Sequence, residues 1–302
     1  MKKSLHKAIS TCIRPFYGSG LGNYFPFKQL NHFHQKLGKK LYFWEKNEIK
    51  MRTNEGFWIC LHEGKTIDDT IINLGFWEPD ISKLIRENLK KWDTFVDIGA
   101  NIGYFSLLAS EIVGENGKIL AFEPSSKNFA ELTKNIALNN FSNISAIQYA
   151  ASNVATTKNL FYNPTNPGGS SLVENLHSGN ESESIETIVL DDFLRDEKID
   201  LIKMDIEWYE YFAILGMKNL LAKNHLKMIF EYSPTFYEKL YPADFAQKSV
   251  EILDILTEIG FLLYFIDYRG KLEPISNNQK FFENLYAKRE QVDIFCSKEK
   301  IC

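Results

Sequence analysis

From Thr94 onward the apolar positions fall into short runs separated by stretches with helical spacing. The runs Thr94–Ile98, Lys118–Phe122, 144–149, 199–204, 227–231, Leu262–Ile266 and 292–296 have strand length. Between them, positions 80–90, Tyr104–Val113, 127–139, 209–221 and 244–259 repeat apolar residues every three or four places, as amphipathic helices do. Strands alternating with helices predict a parallel sheet with helical crossovers, so the fold class is α/β. Residues 152–186 are less regular, with Pro164, Pro167, Gly168 and Gly169, and predict only a short extra strand at 160–162.

The first 74 residues follow a different pattern. Leu5, Ala8, Ile9, Cys12 and Ile13 form a helical stripe that Pro15 ends, and Leu30, Phe33 and Leu37 form a second that stops at Gly38. Strands at 49–53 and 57–62, turning at 54–56, predict a hairpin. The chain therefore divides into an N-terminal basic helical and β-hairpin extension, 1–74, and a main domain, 75–302.

At 302 residues, 44% hydrophobic and 14% aromatic, the chain can bury a large core. No apolar run approaches the roughly 20 residues of a membrane span. Lys7 and Arg14 interrupt any secretory h-region, which makes the cytoplasm the expected compartment. Cys12, Cys60, Cys296 and Cys302 lack metal-ligand or disulfide spacing and are expected as free thiols. Residues 1–40 carry eight Lys or Arg and no acid, leaving 27 basic against 39 acidic residues in the body. An acidic body argues against nucleic acid and for a small-molecule or glycan acceptor. The basic arm could make weak peripheral contact with an anionic membrane, although folding back onto the acidic body is the favoured reading.

The strongest chemical signal is VDIGANIG, Val96 to Gly103, where an apolar strand gives way to a helix. Gly99 allows a sharp turn and close approach of a ligand, Gly103 allows tight helix packing, and a helix N-terminus offers unpaired N–H groups. Asn101 stands where a pyrophosphate loop would carry its second glycine, so adenosine without phosphates suits the loop better than a dinucleotide. Glu123, at the end of the next strand in FEP, is placed to accept hydrogen bonds from ribose hydroxyls.

VDIGANIGYFSLLAS, AFEPSSKNFAELTKNIALNN, LDDF, DLIKMDIEWYE and IFEYSP occur in that order, flanked by GFWEP and interrupted by GGSSL. This series resembles the FkbM family of methyltransferases from about Gly75 to the C-terminus. The resemblance implies a Rossmann-like, seven-stranded, mostly parallel sheet with helices on both faces, S-adenosyl-L-methionine as cofactor, and usually a hydroxyl oxygen as methyl acceptor. The cofactor-binding candidates are Asp97, Gly99, Ala100, Asn101, Gly103, Tyr104, Glu123, Pro124 and Ser125. Where the family usually carries glycine after its second acidic residue, this chain has Trp208, which could narrow the acceptor pocket or simply pack.

Ligands of open α/β sheets bind beyond the carboxyl ends of the strands, which makes Asp205, Glu207 and Glu231 the catalytic candidates, with Asp205 first as general base. Asp205, Glu207 and Glu210 could instead hold Mg²⁺, but no metal is expected. The competing readings are an NAD-dependent oxidoreductase and a non-catalytic adenosine-ligand-binding scaffold. The acceptor and the oligomeric state are not legible in the sequence.

Overall fold

The computed structural model describes residues 48–163, 170–172, 181–223, 225–240 and 243–301. The two expected helices within residues 1–40, together with Cys12 and Cys302, lie outside the described residues.

The chain enters through the expected hairpin, β1 (Glu48–Arg52) and β2 (Trp58–His62), with Glu48 opposite His62. Helices α1 (Thr66–Leu74) and α2 (Pro79–Asn88) lead to the sheet. Its first half is β3 (Thr94–Ile98), α3 (Tyr104–Val113), β4 (Lys118–Phe122), α4 (Ser126–Asn139) and β5 (Ile144–Ile147). A small three-stranded sheet follows, made of β6 (Ala150–Ser152), β7 (Thr157–Phe161) and β8 (Ser182–Val189) in the order β6-β8-β7, and then α5 (Leu190–Phe193). The second half is β9 (Leu201–Met204), α6 (Glu210–Leu215), α7 (Lys218–Leu221), β10 (Lys227–Tyr232), α8 (Pro234–Leu240), α9 (Phe245–Glu258), β11 (Leu262–Ile266), β12 (Leu272–Pro274), α10 (Asn278–Lys288) and β13 (Val292–Ser297).

The main sheet runs β12-β11-β13-β10-β9-β3-β4-β5. Pairing is parallel from β5 through β10, while β13 lies antiparallel between β10 and β11. This is the expected α/β, Rossmann-like sheet with one strand more than seven, because three-residue β12 pairs with β11 at the edge. The chain runs outward from β3 to β4 and β5, then returns to β9 on β3's other side. That reversal opens a crevice beyond the ends of β3 and β9.

Alternation along the strands divides the core in two. Val96, Ile98, Ile202, Met204, Met228 and Phe230 face α6, α7, α9 and α10, whereas Phe95, Leu201, Ile229 and Phe295 face α2, α3 and α4. Helix α4 also secures the hairpin. Asn139 accepts from Trp58 N–H and donates to its carbonyl, and Asn135 accepts from Cys60 N–H at 2.7 Å while donating to Ile102 O at 2.9 Å. Spaced four apart on one helix face, the two amides pair an edge strand that has no further strand beside it in this hairpin.

The structure departs from the sequence pattern where backbones approach closely. The expected helix 209–221 breaks at Gly216, where a Cβ would lie 2.0 Å from the Ser152 carbonyl oxygen. The expected strand 144–149 ends at Ile147 and restarts as β6, which leaves the main sheet to pair with β8. Cys60 and Cys296 are buried free thiols.

Because Asn135 is fully buried and satisfies two backbone groups of different segments, Asn135→Ala is expected to cost about 1–3 kcal/mol. Urea unfolding should show a lower midpoint with an unchanged slope.

Candidate functional site

A cavity of about 290 Å³ opens at the crevice beyond β3 and β9. Gly99, Ala100, Asn101, Tyr104, Glu123, Pro124, Asp205, Glu207 and Glu231 line it. Asp97, Gly103 and Ser125 lie behind its wall. Asp97 is fully buried and accepts from Ser106 Oγ at 2.6 Å, a Cβ on Gly103 would lie 2.6 Å from Leu132 Cδ1, and Ser125 caps α4 through Asn128 N–H. These three support the site from outside the cavity.

The loop after β3 is shaped by its own backbone. Gly99 has φ +83°, and a Cβ there would lie 2.0 Å from the Asp205 carbonyl oxygen. Its glycine is therefore required by the contact between two protein loops, whatever ligand lies beyond. Four amides of the loop that leads into the helix are engaged within the protein. Gly99 and Ala100 N–H both donate to Phe122 O at 2.9 Å, Asn101 N–H donates to Glu123 Oε2 at 2.8 Å, and Gly103 N–H donates to Ala100 O. These amides are thus engaged within the protein and not presented to a phosphate. Glu123 receives a second amide, Ser125 N–H at 2.9 Å on Oε1. Burial nevertheless pushes its pKa up to about 7 against those two hydrogen bonds.

Next to this loop is a row of charge. β3 and β9 place Asp97 beside Lys203, and β10 and β13 place Glu231 opposite Asp293. By alternation all four sit on the face that carries Phe95, Leu201 and Ile229. Lys203 Nζ donates to Asp205 Oδ2 at 3.2 Å and lies 4.9 Å from the Phe105 ring centre. Burial lowers the Lys203 pKa, but Asp205, Asp97 and Glu78 outweigh it, so the ammonium is held above the ordinary lysine range. The surrounding carboxyls are pushed the other way. Burial first, then the charge of Asp205, raises Glu207 to about 9 and Glu231 to about 10. Glu78, raised by burial and then by Asp293 and Asp205, reaches about 8. At neutral pH, Glu207 and Glu231 are therefore mainly protonated donors, which disfavours them as general bases and leaves Asp205, held by Lys203, as the candidate.

The segment after β9 is bent sharply, with positive φ at Glu207 (51°) and Trp208 (74°). Glu210 clamps it from below, Oε1 accepting from the amides of Ile206 and Trp208 and Oε2 from Tyr237 OH. Ser171 Oγ donates to Glu207 O at 2.8 Å from above. Glu210 is thus turned away from the cavity and engaged as a brace. Among the described residues, the group of three metal-competent side chains whose ligand atoms lie within 4.8 Å of one another is Glu48, Cys60 and His62, which does not include Asp205, Glu207 or Glu210. In that group Lys134 already pairs with Glu48. Trp208 is buried and stacks on Phe236 at 3.9 Å and 14°, so its ring packs behind the loop and does not line the cavity.

Sequence reasoning missed Lys203, Gln291, Trp77 and Glu78 as cavity residues, along with Tyr149 and Leu160. Lys203 had a signal: a lone charge inside the fully buried strand LIKM. Trp77 and Glu78 belong to GFWEP, which in the sequence is only a segment flanking the main motifs. Thr66 and Ile67 show that the part of the chain before residue 75 also walls the cavity.

The fold and this crevice define an open α/β protein whose cavity lies at the topological switch point, where such sheets bind their ligands. The model of the FkbM methyltransferase domain matches residues 97–263, and the chain belongs to that family. It is 33% identical over 162 residues to Methyltransferase sdnD of Sordaria araneosa, covering 43% of this chain and 62% of that protein. It is 28% identical over 147 residues to Methyltransferase 1 of Beauveria bassiana (strain ARSEF 2860), covering 41% and 59%. The aligned segment thus spans about three fifths of each of these relatives. Among solved structures, FkbM methyltransferase from Methylobacillus flagellatus KT aligns with a TM-score of 0.42 at 16% identity over 69% of this chain and 44% of that one. A SAM-dependent O-methyltransferase from Thermotoga maritima aligns with a TM-score of 0.42 at 13% identity over 90% and 82%. No helix among the described residues is long and apolar enough to cross a membrane.

The raised Glu231 pKa has a measurable sign. Below the unfolded-state value of 4.5 both states are protonated and nothing is lost; as pH rises towards about 10, the folded state holds a proton that the unfolded chain releases, and stability falls. Solvent in the cavity screens part of this effect, since Glu231 is only half-buried. Glu231→Gln, which keeps an acceptor for Gln291 Nε2, is expected to raise the melting temperature by about 2 °C at pH 8 and not at pH 4. An equal effect at both pH values would show that charge is not the cause.

Proposed function

We propose that the protein is an S-adenosyl-L-methionine-dependent methyltransferase acting on a hydroxyl of a sugar, glycan or secondary metabolite. The observation that carries the cofactor reading is the loop whose amides at Gly99, Ala100, Asn101 and Gly103 are all taken by the protein. A pyrophosphate needs such amides free, whereas an adenosine lacking phosphates needs a carboxylate for its ribose and an apolar slot for its base. Glu123 lines the cavity as that carboxylate, and Ala150, Ala151 and Leu160 line an apolar part of it. The residues present therefore fit this cofactor, and the same loop argues against the NAD-dependent alternative.

When bound, the cofactor supplies a methyl group on a positively charged sulfur, an electrophile that needs no activation by the protein. What remains for the chain is to hold the acceptor and take its proton. Asp205 accepts the hydroxyl proton, a contribution of about 10²–10⁴-fold for a placed general base. Glu207 and Glu231, protonated at neutral pH, donate hydrogen bonds to further acceptor hydroxyls, and Gln291 adds an amide. Several converging hydrogen-bonding groups beside Trp77 suit a polyhydroxylated or ring-bearing acceptor.

Calorimetry is expected to detect S-adenosylmethionine and S-adenosylhomocysteine at micromolar concentration and not NAD; NAD binding without response to either would reverse the reading. Incubation with radiolabelled S-adenosylmethionine and cell extract should then transfer label to a base-stable product, as an O-methyl ether is. Label recovered in an amine or a protein instead would remove the hydroxyl acceptor. With that product in hand, Asp205→Asn should lower turnover by about 10²-fold or more while cofactor affinity stays within about tenfold. Equal losses in both would make Asp205 a cofactor ligand and not the base.

A further inference from the structure

Strand β9 is buried along its whole length, and its third residue is a lysine only 5% exposed. An ammonium in such a place persists only when opposite charge surrounds it. Three acidic side chains do so, Asp97, Asp205 and Glu78, the last pushed up to about 8 and so mainly uncharged at neutral pH. Asp97 is its neighbour across the β3–β9 register; Oδ2 of Asp97 is taken by Ser106, Oδ1 is buried without a hydrogen-bond partner, and the burial that raises the Asp97 pKa is opposed by the Lys203 ammonium and by Ser106. Asp205 is the second, 3.2 Å from Nζ, and unlike Asp97 it lines the cavity. If neutralising Asp97 were the only role, the ammonium would have no need to reach the cavity wall. Instead Lys203 touches the cavity itself and joins the buried charge to the half-buried one that lines it.

We propose that Lys203 is a positioning residue: it anchors the Asp205 carboxylate at the cavity wall and sets the net charge that this wall presents to a bound sulfonium. The proposal rests on the methyltransferase reading given above. With Asp97 and Asp205 ionised, the trio carries one net negative charge; without the lysine it carries two. A positively charged sulfonium responds to that difference, while the neutral thioether of S-adenosylhomocysteine, otherwise the same molecule less a methyl group, does not. The ratio of the two affinities therefore reports the charge beside the sulfur, and general loosening of the fold would weaken both ligands alike.

Calorimetric titrations of S-adenosylmethionine and of S-adenosylhomocysteine, at low ionic strength, test this in full-length protein. Lys203→Met is expected to raise the preference for the sulfonium about tenfold, as one unit charge at several ångströms does in a partly solvated site, and Lys203→Arg should leave it within about threefold. The double variant Lys203→Met, Asp205→Asn restores the charge balance and should return the ratio to within about threefold of the wild type. If Lys203→Met alone does not fold, Asp205→Asn with the lysine intact must shift the ratio in the opposite direction. An unchanged ratio in a folded single variant overturns the proposal. Binding of neither ligand to the wild-type protein overturns the methyltransferase reading with it, whereas binding at an invariant ratio overturns the role of Lys203 alone.

Discussion

The carbonyl oxygen of Asp205 occupies the place where a side chain on residue 99 would have to go, with only 2.0 Å to an added Cβ. This contact welds the loop after β3 to the loop after β9, the two segments that flank the crevice. It is reached because Asp205 N–H continues the ladder onto Ile98 O at 3.0 Å, extending the strand pairing by one residue into the site. Everything the cavity presents on this side follows from that approach. The Gly99 backbone turns away at positive φ, its amide finds Phe122 O, and the next two amides close onto Phe122 and Glu123. The usual explanation of a glycine at such a loop is room for a ligand; here room for the neighbouring strand is the stronger demand.

The segment beyond Asp205 shows how a locally unfavourable backbone is kept. Glu207 and Trp208 both lie at positive φ, a conformation that costs a residue with a Cβ roughly 1–2 kcal/mol. The family's usual glycine at the position of Trp208 has a direct physical reading in that angle. This chain offsets the missing glycine with a stacked Trp208–Phe236 pair and with Glu210, which accepts from two amides of the bend and from Tyr237 OH. Glu207 is thereby presented to the cavity by a bend held from both sides, by Glu210 beneath and Ser171 above. Read in the sequence alone, DIEWYE offers Asp205 and Glu207 as catalytic candidates and adds Glu210 only to a possible metal set. In three dimensions Asp205 pairs with an ammonium, Glu207 faces the cavity, and Glu210 is turned inward as a brace.

The strands and helices that alternate in an apolar rhythm were legible in the sequence because burial on both faces of the sheet demands it; Thr94–Ile98, Tyr104–Val113 and Lys118–Phe122 begin and end where the pattern says. What escaped was structure that buries little. β8 alternates Ile185 and Thr187 with exposed polar residues in a small separate sheet, α10 buries only Phe282 and Leu285, and β12 is a three-residue edge. The candidate site divides in the same way. Gly99, Glu123 and Asp205 are visible because they stand at strand ends in recognisable motifs. Glu78 and Gln291 come from segments with no periodic signal, and only the fold brings them to the same crevice.

Lys203, and the pairing of Asp97 with it, show in the sequence as charge where the apolar pattern allows none. FVDI, LIKM, IFEY and VDIF each interrupt a buried strand with one ionisable residue, and all four strands are neighbours in the sheet. Isolated in apolar strands, such groups would each be a liability, and a protein has little reason to keep four. Together they make a field. Asp97 and Asp205 share one ammonium, and the charge of Asp205, added to burial, keeps Glu207 and Glu231 protonated where solvent alone would ionise them. The sheet thus separates one paired carboxylate able to accept a proton from neighbours able to donate one, at a single cavity and with a single kind of functional group. That separation depends on strand register more than on any motif, since a slip of one residue in β9 would turn Lys203 to the opposite face and leave Asp97 without its counter-charge.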